Sequence, residues 1–355
     1  MLIFDAHLDL SLNALEYNRD LRRSIHEINA EEAGLEDLAG RGHATVAFPE
    51  MRRANVGVCV ATLLAGCMKS AAPVGAWNSP AQAWAMTQGQ LAWYQAMEDA
   101  NQLRQIRTAQ QLQAHLNAWE EDPGSCPIGY ILSLEGADSI RTIGDLEQAH
   151  DKGLRALGPA HYGIGRYALG HDQEGPLSAA GRELLAEMNR LNMILDATHL
   201  SEQTFWQALD VFTGPIWASH HNCRALVDDP RQLTDQQITA LADRNAVIGV
   251  ACDVWMVVSD WQRGSTTHAD RNDANLDALA NHIDHICQLL GNTNHVGIGT
   301  DLDGGYGSEQ TPSDLRSIAD LTKLLDILRS RGYSEVDLQR IAHKNFIHFL
   351  LDTWG

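Results

Sequence analysis

Eight times along the chain a short run rich in Val, Ile and Leu is separated from the next by a longer stretch with helical periodicity, and this alternation leaves few folds open. The runs lie at 2–9, 56–66, 128–137, 154–161, 193–200, 215–221, 246–253 and 295–303. Runs such as GVCVATLLAG and AVIGVACDV are apolar almost without interruption, as strands buried on both faces must be. Parallel strands joined by crossover helices make an α/β protein, and eight of them make a (β/α)8 TIM barrel. A length of 355 residues suits one such barrel, and no linker, repeat or low-complexity tract divides it, so 1–355 reads as a single domain.

The intervening stretches carry helix punctuation. Ser178, Ser201 and Thr234 each stand where an N-cap is needed, ahead of helical runs, and a long helix is expected from about 81 to 106. Two segments exceed what a minimal barrel needs: 68–80 after the second strand and 254–272 after the seventh. Loops that follow strands lie on the active rim, so both are candidate lids over a substrate.

Composition excludes several roles. With 44% hydrophobic and 20% charged residues the chain is an ordinary globular protein, and a formal charge of -20 with no basic cluster repels phosphate backbones and anionic lipid surfaces. Nucleic acid is therefore not an expected partner. The six cysteines are widely spaced, lack any C-x-x-C pair and sit mostly in apolar runs, so they read as buried thiols. Met1 leads directly into LIFDAHLD without a leader pattern, and no window reaches the ~18–20 apolar residues of a membrane span, so a cytoplasmic protein without a membrane anchor is expected.

Against this framework one series of residues stands out. His7 and Asp9 in FDAHLD are two apart, which on an extended strand turns both to one side. Glu135 ends YILSLEG, His161 follows RALGPA, His199 closes ILDATH, His220 closes PIWASH, and Asp301 sits in GIGTDLDGG. Alone, each motif is weak, since an H-x-D is more often a surface or capping pair and a lone histidine more often a satisfied rim group. Together they put acids and imidazoles at strand end after strand end, and a barrel gathers those ends on one rim. Carboxylates mixed with imidazoles suit zinc, manganese or cobalt, and even without His161 six such groups exceed the three protein ligands of one catalytic zinc. The set points to two divalent ions sharing a bridging carboxylate.

The same segments, in the same order, resemble those of the membrane (renal) dipeptidase family of binuclear zinc peptidases. The likeness covers nearly the whole chain: DAHLD resembles the family's D-x-H-x-D opening, and LEG, DATHLS, ASH and GIGTDLDG resemble its later elements. It implies that His7, Asp9, Glu135, His199 and His220 bind two zinc ions, with Glu135 bridging them, and that Asp301 lies beside the bridging water and shuttles its proton. It also implies that His161 touches the scissile group and that Arg231, spaced from His220 as in the family, holds the substrate carboxylate. His221 is the less favoured half of the His220-His221 pair. The implied activity is hydrolysis of dipeptides, including those with a D-residue at the C-terminus, by a homodimer. Another amide, an N-acyl amino acid or a lactone on the same centre is the alternative; a catalytically silent binding protein is disfavoured because no ligand is missing. One departure is that YGIGRYALGH after His161 lacks the family's Asn and brings Arg166 and His171 toward the rim.

Overall fold

The computed structural model describes residues 1–67 and 74–355, so part of the anticipated rim loop at 68–80 lies outside the described residues. Among the described residues nine strands form, namely β1 (Ile3–Leu8), β2 (Val56–Leu64), β3 (Leu103–Gln105), β4 (Ile128–Glu135), β5 (Leu154–Gly158), β6 (Ile194–Asp196), β7 (Ile216–Trp217), β8 (Ile248–Val250) and β9 (Val296–Ile298). Every expected run contains one of them. Eight pair in the order β7-β6-β5-β4-β2-β1-β9-β8, all parallel. A bridge between Ala218 and Ile248 joins the two ends, reinforced by the Gly249 N–H donating to the Ala218 carbonyl at 2.8 Å and the His221 N–H to the Gly249 carbonyl at 2.7 Å. The result is a nearly closed eight-stranded barrel with helices between strands, as the alternation requires.

One element departs from expectation. The helix expected to reach about 106 spans Pro80–Asp99 and stops there. Asn101 then takes a left-handed backbone angle (φ 54°), and β3 pairs with the base of β4, off the eight-strand path. Asparagine tolerates that angle better than most residues, which is what breaks the helix. Elsewhere the punctuation holds: Ser178 accepts from the Gly181 N–H at the start of Ala179–Arg190, and Thr234 and Gln237 form a reciprocal capping box. Ser201 precedes Glu202–Val211 without a side-chain cap bond.

The barrel interior is a packed core. Phe4 and Ala6 of β1, Val58 and Val60 of β2, Ile131, Ala156, Ile194 and Trp217 meet in one buried cluster. Phe346, from the helix Asn345–Trp354, enters the same cluster, stacked on Phe4 at 5.1 Å and edge-on to Trp217 at 6.0 Å. Burying a side chain of this size contributes about 1.5–3 kcal/mol. That helix plugs the end of the barrel remote from the rim and leaves the rim alone for chemistry. All six thiols are free and all but Cys67 are buried. Among the described residues no helix is long and apolar enough to cross a membrane.

Closure leaves no room at two glycines. A Cβ on Gly249 would lie 2.0 Å from the Ser219 carbonyl oxygen, and one on Gly299 only 1.8 Å from the same atom. Because the obstacle is backbone rather than a movable side chain, Gly299→Ala is expected to destabilise the fold by about 1–3 kcal/mol or more, read as a lowered midpoint in denaturant titration.

Candidate active site

Four of the seven predicted residues share one local construction. His161, His199, His220 and Asp301 each stand three residues beyond the end of a strand, β5, β6, β7 and β9 respectively. The chain leaves the ladder, turns, and throws a polar side chain over the barrel mouth. Two of these turns are strained: His199 (φ 66°) and Asp301 (φ 57°) occupy the left-handed region, which costs a non-glycine residue energy and recurs at functional sites. Glu135 is the last residue of β4, followed by Gly136 at φ 72°.

His7 and Asp9 reach the rim by a different route from the one their spacing suggests. The β1 ladder is irregular between Asp5 and Leu8, so strict alternation is lost there. Asp9 lies outside the strand altogether, as the N-cap residue of the helix Leu10–Leu15. The two side chains do converge, but through a bulge and a helix cap.

Glu135 is the hub. Its Oε1 lies 3.1 Å from His199 Nε2, 3.4 Å from His220 Nε2 and 4.0 Å from His161 Nε2, and its Oε2 lies 3.5 Å from His7 Nε2. His7 Nε2 is also 3.8 Å from both Asp9 Oδ1 and Asp301 Oδ1, and, though buried, it makes no hydrogen bond. Two trios, His7/Asp9/Glu135 and Glu135/His199/His220, each bring three ligand atoms within 4.8 Å of one another and share Glu135; His7, His220 and Asp301 form a third. An orphaned imidazole nitrogen among buried carboxylates fits a cation, and the mixed oxygen and nitrogen donors fit a divalent transition metal.

Electrostatics point the same way. Burial opposes charge on His7, yet Glu135, Asp9 and Asp301 outweigh it and push its pKa up to about 10. Burial and the charge of Glu135 raise Asp9 to about 6, while burial and neighbouring carboxylates push Asp301 well above the usual carboxylate range. Glu135, although buried, is drawn down to about 2 by His7 and His161. Burial and the Arg231 charge hold His199 and His220 well below the usual imidazole range, which leaves them neutral with lone pairs to donate.

Neighbours fix these groups. The Ser219 hydroxyl is 2.8 Å from His220 Nδ1, opposite the nitrogen that faces Glu135, and the Thr62 hydroxyl donates to Asp9 Oδ1. His171 Nδ1 meets His199 Nδ1 at 3.2 Å, so this departure from the family pattern lands directly behind a predicted ligand, whereas Arg166 points to solvent over Tyr167. Asp138 accepts the Cys67 N–H at 2.8 Å and the Arg166 N–H at 2.7 Å, tying the loops after β2 and β5 to one buried carboxylate.

A cavity of about 290 Å³ opens over the cluster, at the small end of ligand pockets. Asp9, Glu135, His161, His199, Arg231 and Asp301 all line it. Arg231 is 1% exposed, with Nη2 donating to the His220 carbonyl at 2.9 Å and Nη1 3.3 Å from His221 Nδ1. His221 stands behind that guanidinium, away from the Glu135 cluster, as its lesser standing in the sequence suggested. Arg263, from the loop after β8, also lines the cavity; nothing in its sequence surroundings, QRGST, signals this.

A parallel barrel with carboxylates and imidazoles gathered at one mouth defines the metal-dependent hydrolase class of barrels. The family model described as membrane dipeptidase, peptidase family M19, matches residues 1–353, and the chain belongs to that family. An uncharacterized protein of the pqqA 5' region of Klebsiella pneumoniae is 31% identical over 236 residues, 64% of this chain and 83% of that protein. The dipeptidase tcpJ of Claviceps purpurea is 29% identical over 236 residues, 63% of this chain but 52% of its own, so the match spans about half of that relative. A solved metallo peptidase from Rhodobacter sphaeroides, liganded with a phosphinate mimic of the dipeptide L-Ala-D-Ala, shares the fold with a TM-score of 0.80 at 24% identity, over 100% of this chain and 99% of that one.

The charge pattern predicts proton traffic. Neighbouring carboxylates keep His7 protonated up to about pH 10; were His7 a metal ligand it would have to give that proton up, so loading the metal-free protein with a divalent ion near neutral pH should then release it, and the release should fade as pH rises past that value. Titration calorimetry in buffers of differing protonation enthalpy counts the protons; a heat independent of buffer would contradict the assignment.

Proposed function

We propose that this chain is a metal-dependent dipeptidase, one barrel domain whose rim holds two divalent ions, zinc by preference. The observation that carries the reading is the pair of ligand trios sharing Glu135 beneath a small cavity that also contains a buried arginine. His7 and Asp9 would hold one ion, His199 and His220 the other, and Glu135 both. Bound there, the ions would supply Lewis acidity toward a peptide carbonyl and make water nucleophilic at neutral pH.

The chain's own residues account for the remaining steps. Arg231 presents a fixed guanidinium to the C-terminal carboxylate of a dipeptide, which sets the scissile carbonyl over Glu135 and leaves a longer chain without an end to be held. Its bond to the His220 carbonyl keeps it from swinging away, so its position costs little to maintain when substrate arrives. Asp301 starts as the carboxylate and takes a proton from the attacking water; burial beside Asp9 and Glu135 raises its affinity for that proton, which stays on its carboxyl until the leaving amine collects it. His161 lies at the cavity wall, its pKa lowered by burial; as a neutral imidazole it donates a ring N–H to the oxygen that becomes negative as the carbonyl is attacked. Dipeptides with a D-residue at the C-terminus are admitted on this reading.

Activity on L-L and L-D dipeptides is expected to vanish on chelation and return with Zn²⁺ or Mn²⁺; hydrolysis by metal-stripped protein would overturn the reading. Replacing Arg231 by alanine should lower kcat/KM for dipeptides by roughly 10- to 100-fold or more, the worth of a lost charge-assisted pair. Dipeptide cleavage at the wild-type rate by that variant would remove Arg231 from its role.

A further inference from the structure

The cavity over the cluster is lopsided, and its cationic side holds a group that dipeptide hydrolysis does not require. On one side the helix Leu10–Leu15 and the segment beyond it supply Leu12 and Tyr17, and the end of β2 and the loop that follows supply Leu64 and Val74. Across the ring of strands Arg231, between β7 and β8, is joined by Arg263 from the loop after β8. Arg263 is firmly held: Nη2 donates to Asp253 Oδ2, and the guanidinium lies over the Trp255 ring at 5.3 Å. Asp253, fully buried, does not depend on it alone, since it also accepts from Trp255 Nε1 at 2.8 Å and Gln310 Nε2 at 3.0 Å. Among the described residues Arg263 makes no other hydrogen bond, and 46% of its side chain stays exposed. A guanidinium with five N–H donors, one of them used, fixed at the wall of a substrate cavity, is a preformed carboxylate receptor.

We propose that Arg263 selects dipeptides whose C-terminal residue carries an acidic side chain. This rests on the dipeptidase reading above: Arg231 takes the main-chain carboxylate, and Arg263, on the neighbouring loop, takes the side-chain one. The N-terminal residue then points its side chain toward Leu12 and Leu64, where an apolar group is favoured.

The test compares Leu-Asp with Leu-Asn, which match in size and differ in charge, with Leu-Ala as reference and each C-terminal residue offered in both configurations. In the metal-loaded wild type, kcat/KM should favour the aspartyl over the asparaginyl substrate by roughly 10- to 100-fold. In Arg263→Gln that ratio should fall toward unity, and in Arg263→Lys, which keeps the charge but not the fork, it should be intermediate. Because both substrates are measured on one preparation, losses of folding or metal cancel. A wild type that cleaves Leu-Ala but does not distinguish Asp from Asn overturns the inference without any variant, and so does a ratio that survives Arg263→Gln. A wild type that cleaves none of the three overturns the dipeptidase reading itself.

Discussion

Glu135 is the constraint around which the rest of the structure is arranged. A carboxylate at the end of a strand in a barrel mouth has lost most of its water, and such a charge survives only among compensating groups. Four imidazoles stand within 4.0 Å of it, contributed by β1, β5, β6 and β7 or the turns beyond them. Each comes from a different part of the chain, so the barrel must close before the carboxylate is accommodated. The helix from Asn345 to Trp354, inserted at the far end, serves the same purpose by filling the interior and setting the ring on which these groups stand.

The cost of that arrangement is visible in the backbone. His199 and Asp301 are held at positive φ, and β1 loses its regular alternation just where it delivers His7. Each deviation would be unfavourable in a free peptide, and each is held by tertiary contacts: His199 by His171, Asp301 by its own N–H donating to the His7 carbonyl at 3.2 Å. Rigidity at the rim thus derives from a core that tolerates no slack, as the two glycines packed against the Ser219 carbonyl attest.

Much of this was legible before any coordinates. Strands buried on both faces are mostly apolar, and all eight barrel strands lie in runs rich in Val, Ile and Leu, although β1 also carries Asp5 and His7 and β5 carries Arg155. The rim acids and histidines were legible as a series because at six of the eight barrel strands an apolar run gives way to such a group at its tip. What escaped had no periodic pattern to betray it. β3 is too short to establish a period, and Asp9 reaches the cluster from a helix cap rather than along a strand. Arg263 and His171 sit in loops without periodicity, each placed by a side-chain contact that local pattern does not announce, with Asp253 and His199 respectively. His171 could be placed near the rim from its segment, but its partner could not be named.

Asp138 adds a mechanical consequence. Its two carboxylate oxygens are divided between the backbone of the loop after β2 and that of the loop after β5, 71 and 28 residues away along the chain. Neither loop can lift from the barrel mouth without leaving this buried carboxylate short of a donor, a penalty of about 1–3 kcal/mol. The two loops are therefore yoked at one carboxylate: displacing either backbone N–H from Asp138 unbalances the anchor on which the other also depends.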